Sequence, residues 1–198
     1  MAAKKKKDLN IAPSIVSKEQ AQNRNELITL FNKNPLPDDE LMRNLGLFLN
    51  PADLKKFLFI NDLYSRAMGI HGVVMEFGVR WGQNINLFQS LRSIYEPFNY
   101  SRKIIGFDTW EGFPSVNEKD GGENFAHKGA YTVTKGYKEF LEKLLRSLEK
   151  ESPLGHLQKF ELRQGDATEQ LEIYLKEHPE TIISLAYFDF DIYEPTKN

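Results

Sequence analysis

The sequence of 198 residues contains no cysteine. Disulfide bonds, thiol catalysis and thiolate metal sites are therefore excluded. It also lacks an apolar run long enough to span a membrane, and no secretory signal opens it. The net charge of −2 is small and gives no reason to expect a nucleic-acid or membrane-surface partner. We therefore expect a cytoplasmic protein.

The composition is that of a globular protein with a substantial core. Hydrophobic residues make up 40% and charged residues 27% of the chain, both ordinary values for such proteins. Three segments are expected. Residues 1–24 are polar and weakly patterned and predict a flexible tail, residues 25–69 show helical spacing interrupted by prolines, and residues 70–198 predict a single α/β domain.

Within the third segment, apolar strands alternate with amphipathic helices. Strands are predicted at 73–75, 103–107, 160–162 and 182–188. Helices are predicted at 83–95, at 137–148, after a cap at Thr168, and from about Glu194. This alternation implies right-handed crossovers and a parallel sheet with helices on both faces. Domains of this kind usually carry more than four strands. We therefore expect the chain to be a fragment, truncated after its fourth strand.

Four acidic residues follow or end the successive strands: Glu76, Asp108, Asp166 and Asp189. In an open parallel sheet the carboxyl ends of the strands meet at one edge, where ligands bind. An acid at the end of the second strand is placed to accept hydrogen bonds from a ribose, and Asp166 from an adenine amino group. Each of these two acids is also a candidate helix or turn cap, and the sequence leaves both possibilities open.

Asp189 and Asp191 are separated by one residue after a buried apolar run. Side chains two apart in a strand point to the same face. Such a pair suits a hard metal ion, or one metal ligand beside a general base. The alternative is that either carboxylate caps the helix expected near Glu194.

A glycine-rich turn, Glu76 to Asn84, lies between the first strand and its helix. Gly78 and Gly82 permit a tight turn and close approach of the backbone to a ligand. The helix amino end near Gln83 offers free N–H groups to an anion. The spacing is not that of the dinucleotide-binding fingerprint. Glycines with a purely structural role are the open alternative.

A second glycine-rich stretch, from Trp110 to about Thr134, follows the second strand. His127 lies within it and is a candidate general base in place of Asp191, although a lone loop histidine is more often exposed to solvent. Trp110 is expected either to line the ligand pocket or to pack in the core. Residues 117–134 are predicted to form a mobile loop that closes over the substrate.

Three motifs carry a resemblance to a known family: Glu76 to Gly82, Gly106 to Pro114, and Asp189 to Glu194. Together they resemble the macrocin O-methyltransferase family, and Tyr95 to Tyr100 is similar to its nucleotide-deoxyhexose 3-O-methyltransferase branch. The resemblance runs from about Asn44 to the last residue. It implies a Rossmann-like class I fold, S-adenosylmethionine (SAM) as methyl donor, and a deoxysugar hydroxyl as acceptor in antibiotic and related pathways.

The resemblance also implies roles for individual residues. The turn at Gly78 would hold the methionine portion of SAM, with Glu76 near its amino group. Asp108 would bind the ribose, and Asp166 with Ala167 would flank the adenine. The candidate cofactor-binding residues are in all Glu76, Gly78, Gly82, Asn84, Asp108, Trp110, Asp166 and Ala167. Asp189 matches a magnesium ligand and Asp191 the candidate base. The family completes its metal site with two adjacent aspartates after a fifth strand, and this sequence ends before such a pair.

The expected function is therefore divalent-metal-assisted methyl transfer from SAM to a small-molecule sugar. Two alternatives remain at this point. One is a SAM-binding chain without activity, and the other is a nicotinamide-dependent oxidoreductase, against which the missing fingerprint argues. A homo-oligomer, formed through the apolar amino-terminal helices, is a further expectation.

Overall fold

The computed structural model describes residues 17–113, 120 and 127–197. The chain divides into two compact units, and the division falls between Phe59 and Ile60. Among the described residues, no helix has the length and apolar character needed to cross a membrane.

The unit before Ile60 is helical. It contains α1 (Lys18–Asn32), α2 (Asp38–Arg43), a short 3-10 helix (Leu45–Phe48) and the beginning of α3 (Pro51–Ala67). Helix α1 begins earlier than expected, so residues 18–24 are helical and do not belong to a flexible tail. The reason is a capping box, in which the Ser17 and Gln20 side chains each accept a hydrogen bond from the other's backbone N–H.

The second unit is built on a sheet of four parallel strands in the order β3-β2-β1-β4. Its elements after α3 are β1 (Val73–Phe77), α4 (Gln83–Tyr95), β2 (Ile104–Asp108), α5 (Tyr137–Glu149), β3 (Phe160–Gln164), α6 (Ala167–Glu177), β4 (Ile183–Phe188) and α7 (Tyr193–Lys197). The predicted Rossmann-like α/β fold is confirmed. Parallel strands need crossover connections, and here helices α4, α5 and α6 provide them.

The core covers both faces of the sheet. On one face, Val74 and Ile104 pack with residues of α4 and α5, such as Phe88 and Leu145. On the other face, Met75 and Ile105 belong to a cluster that includes Tyr174 of α6. The central strand β1 is buried along its whole length. Such burial explains why all its residues except Glu76 are apolar instead of alternating with polar ones.

A row of stacked phenylalanines crosses the carboxyl end of the sheet. Phe77 lies 4.9 Å from Phe107 and 4.8 Å from Phe188, measured between ring centroids, with interplanar angles of 8° in both pairs. The three residues are register partners on adjacent strands. Side chains alternate between the two faces of a sheet along each strand. The three rings therefore pack on one face, and the residues next to them in sequence point to the other.

A buried ionic cluster joins α4, α5 and the start of β3. Glu149, whose side chain is 2% exposed, lies 2.5 Å from the Arg92 guanidinium and 2.8 Å from the Lys159 ammonium. Arg92 also donates to the carbonyl of Lys159, and Lys159 to that of Leu154. These carbonyl bonds satisfy donors that burial would otherwise leave unpaired.

Candidate active site

A pocket opens at the carboxyl edge of the sheet. Its empty volume, which includes space open to solvent, is about 660 Å³. Its lining residues are Gly78, Arg80, Asp108, Thr109, Gly112, Phe113, Tyr131, Gly165, Asp166, Ala167, Asp189, Phe190, Asp191 and Ile192. Six residues singled out from the sequence are among them: Gly78, Asp108, Asp166, Ala167, Asp189 and Asp191. The structure thus brings the ends of all four strands to one pocket.

Gly78 allows the ends of β1 and β4 to approach each other closely. Its φ is +95°, and a Cβ at this position would lie 2.7 Å from the backbone oxygen of Asp189. The Gly78 N–H donates to Phe107, and the N–H of Asp189 donates to Phe77, at 2.9 and 2.8 Å. The glycine therefore lets three strand ends meet beneath the pocket.

Replacing Gly78 by Ala is expected to lower the free energy of unfolding by roughly 1–3 kcal/mol, because a side chain is strained at this φ and would meet the Asp189 backbone. Chemical denaturation measures this loss. Gly46→Ala is the control, since nothing lies within 4 Å of a Cβ there. Equal stability of the two variants would contradict the prediction.

Asp108 is held by the loops on either side of it. Its Oδ2 accepts from the Arg80 N–H at 2.7 Å and its Oδ1 from the Trp110 N–H at 2.6 Å. Burial raises the pKa of its carboxyl above the ordinary value of 3.8, while these backbone hydrogen bonds act in the opposite direction. Asp108 therefore serves as a turn cap and still presents its remaining lone pairs to the pocket.

Asp166 combines both roles that the sequence left open. Its Oδ1 accepts from the N–H groups of Thr168 and Glu169, at 2.9 and 3.3 Å, so it is the N-cap of α6. The prediction that Thr168 caps this helix is wrong, because the helix already begins at Ala167. Asp166 also lines the pocket beside Ala167. Capping fixes the carboxylate at the rim.

Asn84 links two of the four predicted acids. Its Nδ2 donates to Glu76 Oε1 at 3.2 Å and to Asp189 Oδ2 at 3.1 Å. Glu76 is fully buried and does not line the pocket, so its connection to the pocket runs through Asn84. Burial, followed by the charges of Asp189 and Glu76, raises the pKa of Tyr187. Glu76, Asn84 and Asp189 thus form one hydrogen-bonded cluster that reaches the pocket at Asp189.

Replacing Asn84 by Asp is expected to destabilise the protein by about 2 kcal/mol or more at neutral pH, since three carboxyl groups would meet and the shared donor would be lost. Repulsion from Glu76 and Asp189 should raise the pKa of the introduced carboxyl group in the folded state. The destabilisation should therefore be complete above that pKa and shrink as the pH falls through it.

Denaturation of the Asn84→Asp variant across a pH series checks this. Ser90→Asp, on the exposed side of the same helix, is the control and should show a small and nearly constant effect. If Asn84→Asp lowered the free energy of unfolding by the same amount at every pH, the prediction would be contradicted.

Besides Glu76 and Asn84, three predicted site residues do not line the pocket. A Cβ on Gly82 would meet Leu141 of α5, so packing explains this glycine. Trp110 is 6% exposed in the core, where its Nε1 donates to the Arg80 carbonyl at 3.0 Å. His127 is half-buried, and its carbonyl accepts from Ala130 in a turn. Sequence spacing could not show that these residues face neighbouring elements rather than the pocket.

The predicted mobile loop at 117–134 lies largely outside the described residues. Of this segment, Asp120 and residues 127–134 are described. Oδ1 of Asp120 accepts from the N–H of Tyr193, the first residue of α7, at 2.6 Å. A residue of the second glycine-rich stretch thus accepts a hydrogen bond from the start of α7.

Several pocket residues were missed from the sequence. Arg80 lies inside the glycine-rich turn but was not assigned a role, and Tyr131 lies near the end of the glycine-rich stretch. Phe190, between Asp189 and Asp191, was given no role, although it lines the pocket and its ring centroid lies 6.2 Å from that of Phe77. Arg80 could have been predicted from the sequence, because it is a cation in a turn that was already expected to bind a ligand.

The predicted metal site is incomplete in the described part of the chain. Asp189 lines the pocket, but residues 17–113, 120 and 127–197 contain no group of three or more His, Asp or Glu side chains arranged to hold a metal ion. Metal binding therefore stays a prediction, and the chemistry below does not depend on it.

Two solved structures share this fold and much of the sequence. The crystal structure of CalS11, a calicheamicin methyltransferase, superposes with a TM-score of 0.88 and 41% identity, covering 96% of this chain and 74% of CalS11. The apo structure of CalS11 is described as that of a TDP-rhamnose 3'-O-methyltransferase of calicheamicin biosynthesis. It superposes with a TM-score of 0.78 and 37% identity, covering 93% of this chain and 71% of that structure's chain. The chain belongs to the sugar O-methyltransferase family. No protein-family model and no curated protein sequence matches it significantly.

Membership of the sugar O-methyltransferase family confirms the resemblance seen in the three motifs and the prediction of an O-methyltransferase. In this fold the methyl donor implied is SAM. The alternative of a nicotinamide-dependent oxidoreductase is wrong. The assignment of individual residues to SAM or acceptor stays a prediction, now with a defined geometry.

Proposed function

We propose that this sugar O-methyltransferase transfers the methyl group of SAM to a hydroxyl of a nucleotide-linked deoxysugar, in the biosynthesis of an antibiotic or related natural product. The observation that carries the proposal is the single pocket shared by the ends of all four strands. The identity of 41% with CalS11, whose substrate is named as TDP-rhamnose, supports the acceptor class.

The pocket residues fit the chemistry of SAM. A ribose needs hydrogen-bond acceptors, and the Asp108 carboxylate is held in place by two backbone N–H groups. An adenine needs a flat, small-residue wall with a polar rim, which Gly165, Asp166 and Ala167 offer. The sulfonium and ammonium are cations, and acidic side chains complement them. SAM supplies an activated methyl group when bound.

The remaining pocket wall is assigned to the acceptor. Asp189 and Asp191 alternate there with Phe190 and Ile192. Ile192 is 5% exposed, so its apolar side chain excludes water from that side of the pocket. A 6-deoxyhexose presents both hydroxyls and a methyl group, and a wall that alternates carboxylates with apolar groups matches both.

In the reaction, Asp191 would accept the proton of the acceptor hydroxyl as that oxygen takes the methyl group that bound SAM would supply. The products would be the methyl ether and S-adenosylhomocysteine, whose sulfur would keep the electron pair of the broken carbon–sulfur bond. Most of the rate enhancement of such an in-line displacement comes from placing the three reacting atoms in a row. Asp108 and Asp166, each fixed by backbone hydrogen bonds, provide rigid supports for that alignment.

Metal dependence stays a prediction of the family resemblance. A divalent ion would fix the acceptor oxygen and lower its pKa. Asp189 is the described residue that would contribute to such a site. Loss of activity with a chelator, restored by magnesium, would support it.

The test is a methyl-transfer assay with SAM and TDP-linked deoxyhexoses, with and without chelator. We expect a methylated nucleotide sugar and S-adenosylhomocysteine in equal amounts. The same sugars attached to a natural-product aglycone serve as the competing acceptors. Transfer to the aglycone-linked sugars alone would overturn the nucleotide-linked assignment, and binding of SAM without transfer to any sugar would overturn the function.

The expected homo-oligomer stays a proposal. Several apolar side chains of the amino-terminal unit are exposed, including Leu30 at 56% and Leu47 at 69%. Sedimentation velocity of the purified chain would determine its oligomeric state.

A further inference from the structure

The charge of the pocket is strongly one-sided. Four carboxylates line it: Asp108, Asp166, Asp189 and Asp191. Among the described lining residues, Arg80 is the only cation. Cationic groups and hydroxyls of a ligand can therefore interact with the four carboxylates, whereas an anionic group finds a complementary charge only at Arg80.

Arg80 is held in position by its backbone and by aromatic rings. Its φ of 47° is unusual for a side-chain-bearing residue. The Asp108 carboxylate accepts from its N–H at 2.7 Å, and its carbonyl accepts from the Trp110 indole at 3.0 Å. The guanidinium carbon lies 4.6 Å from the Tyr131 ring centroid and 5.8 Å from that of Trp81. These contacts preorganise the cation before any ligand arrives.

The hydrogen-bonding capacity of Arg80 is not used up. Its Nε is buried and has no hydrogen-bond partner within the described part of the chain. A buried guanidinium N–H without an acceptor is costly. The planar arrangement of its donors matches a carboxylate or phosphate, which can accept two parallel hydrogen bonds.

We propose that Arg80 binds the carboxylate of the methionine moiety of SAM, and this rests on the function proposed above. SAM carries two cations, the sulfonium and the ammonium, and one anion, the carboxylate. The acids of the pocket complement the two cations but repel the carboxylate. Arg80 lies in the Gly78 to Gly82 turn, and its backbone N–H donates to Asp108, the proposed ribose ligand.

The test compares SAM with decarboxylated SAM, which lacks only the carboxylate, by titration calorimetry without acceptor. Arg80→Met removes the charge but keeps the backbone hydrogen bonds, and Arg80→Lys keeps a charge without the planar donors. We expect Arg80→Met to weaken SAM binding about 10- to 100-fold, Arg80→Lys to weaken it less, and neither to change the affinity for decarboxylated SAM by more than about twofold.

Arg146→Gln, an exposed arginine of α5 paired with Glu142, is the matched control and should bind both ligands as the unmodified chain does. Thermal unfolding of each variant shows that it is folded. Equal weakening of both ligands by Arg80→Met would overturn the proposal, because the side chain would then act on pocket shape.

Unchanged SAM binding combined with a raised KM for the nucleotide sugar would also overturn it, and would assign Arg80 to the acceptor diphosphate. If the unmodified chain binds no SAM at all, the proposed function itself fails. Normal SAM binding that Arg80→Met leaves intact removes only the carboxylate assignment.

Discussion

Replacing Asp191 by Asn is expected to lower kcat by about 10²–10⁴-fold, the range in which a positioned general base contributes. The amide keeps the shape of the side chain but cannot accept the proton of the sugar hydroxyl. SAM affinity should stay within about twofold, because the pocket groups assigned to SAM lie on the other strands. Steady-state methyl transfer and calorimetry measure the two effects separately.

His127→Asn and Glu111→Gln are the companions of this experiment. His127 was the alternative base, and it is not among the described residues that line the pocket. Glu111 is an exposed carboxylate on the loop after β2, and its variant controls for the loss of a nearby negative charge. We expect both to retain kcat. A loss for His127→Asn comparable with that for Asp191→Asn would assign the base to the histidine instead.

Replacing Glu149 by Ala is expected to lower the free energy of unfolding by about 3–5 kcal/mol, the cost of breaking a buried ion pair from one side. The truncation leaves Arg92 and Lys159, 1% and 4% exposed, without their shared counter-charge. Urea denaturation with an unchanged m-value would show that the effect lies in stability. Glu149→Gln, which keeps one acceptor oxygen, should lose less.

Glu142→Ala on the same helix is the control for that experiment. Glu142 pairs with Arg146 at 2.8 Å, but the two side chains are 36% and 53% exposed. Exposed pairs contribute little, typically below about 1 kcal/mol. If the two glutamate variants were equally stable, the cluster around Glu149 would not be a major source of stability in this fold.

Much of the α/β domain could be predicted from local pattern. Tyr137 to Leu148 shows clear helical spacing, and α5 spans Tyr137–Glu149. The predicted strand at 182–188 is β4, beginning one residue later. These elements are encoded by periodicities within single segments. The capping box at Ser17 was missed, whereas Asp166, the cap of α6, had been left open as a cap beside Thr168.

The candidate site was predicted only where it depends on the ends of strands. Asp108, Asp166 and Asp189 line the pocket because any residue at the carboxyl end of a parallel strand comes to the same edge. The link from Asn84 to Asp189 joins residues 105 positions apart. Trp110 was assigned to the pocket, but its indole faces the Arg80 carbonyl instead. Neither contact follows from spacing along the chain.

The sequence alone therefore determined the alternation of strands and helices, the acids at the strand ends and, through its motifs, the methyltransferase family. The tertiary structure decided which of those acids line the pocket, as Asp108 does, and which are buried and bonded to another side chain, as Glu76 is to Asn84. It also decided that Arg80 lines the pocket while Gly82 packs against α5. The physical reason is that strand order and register bring together segments that are distant in sequence. The contacts of each side chain then depend on which segments become its neighbours.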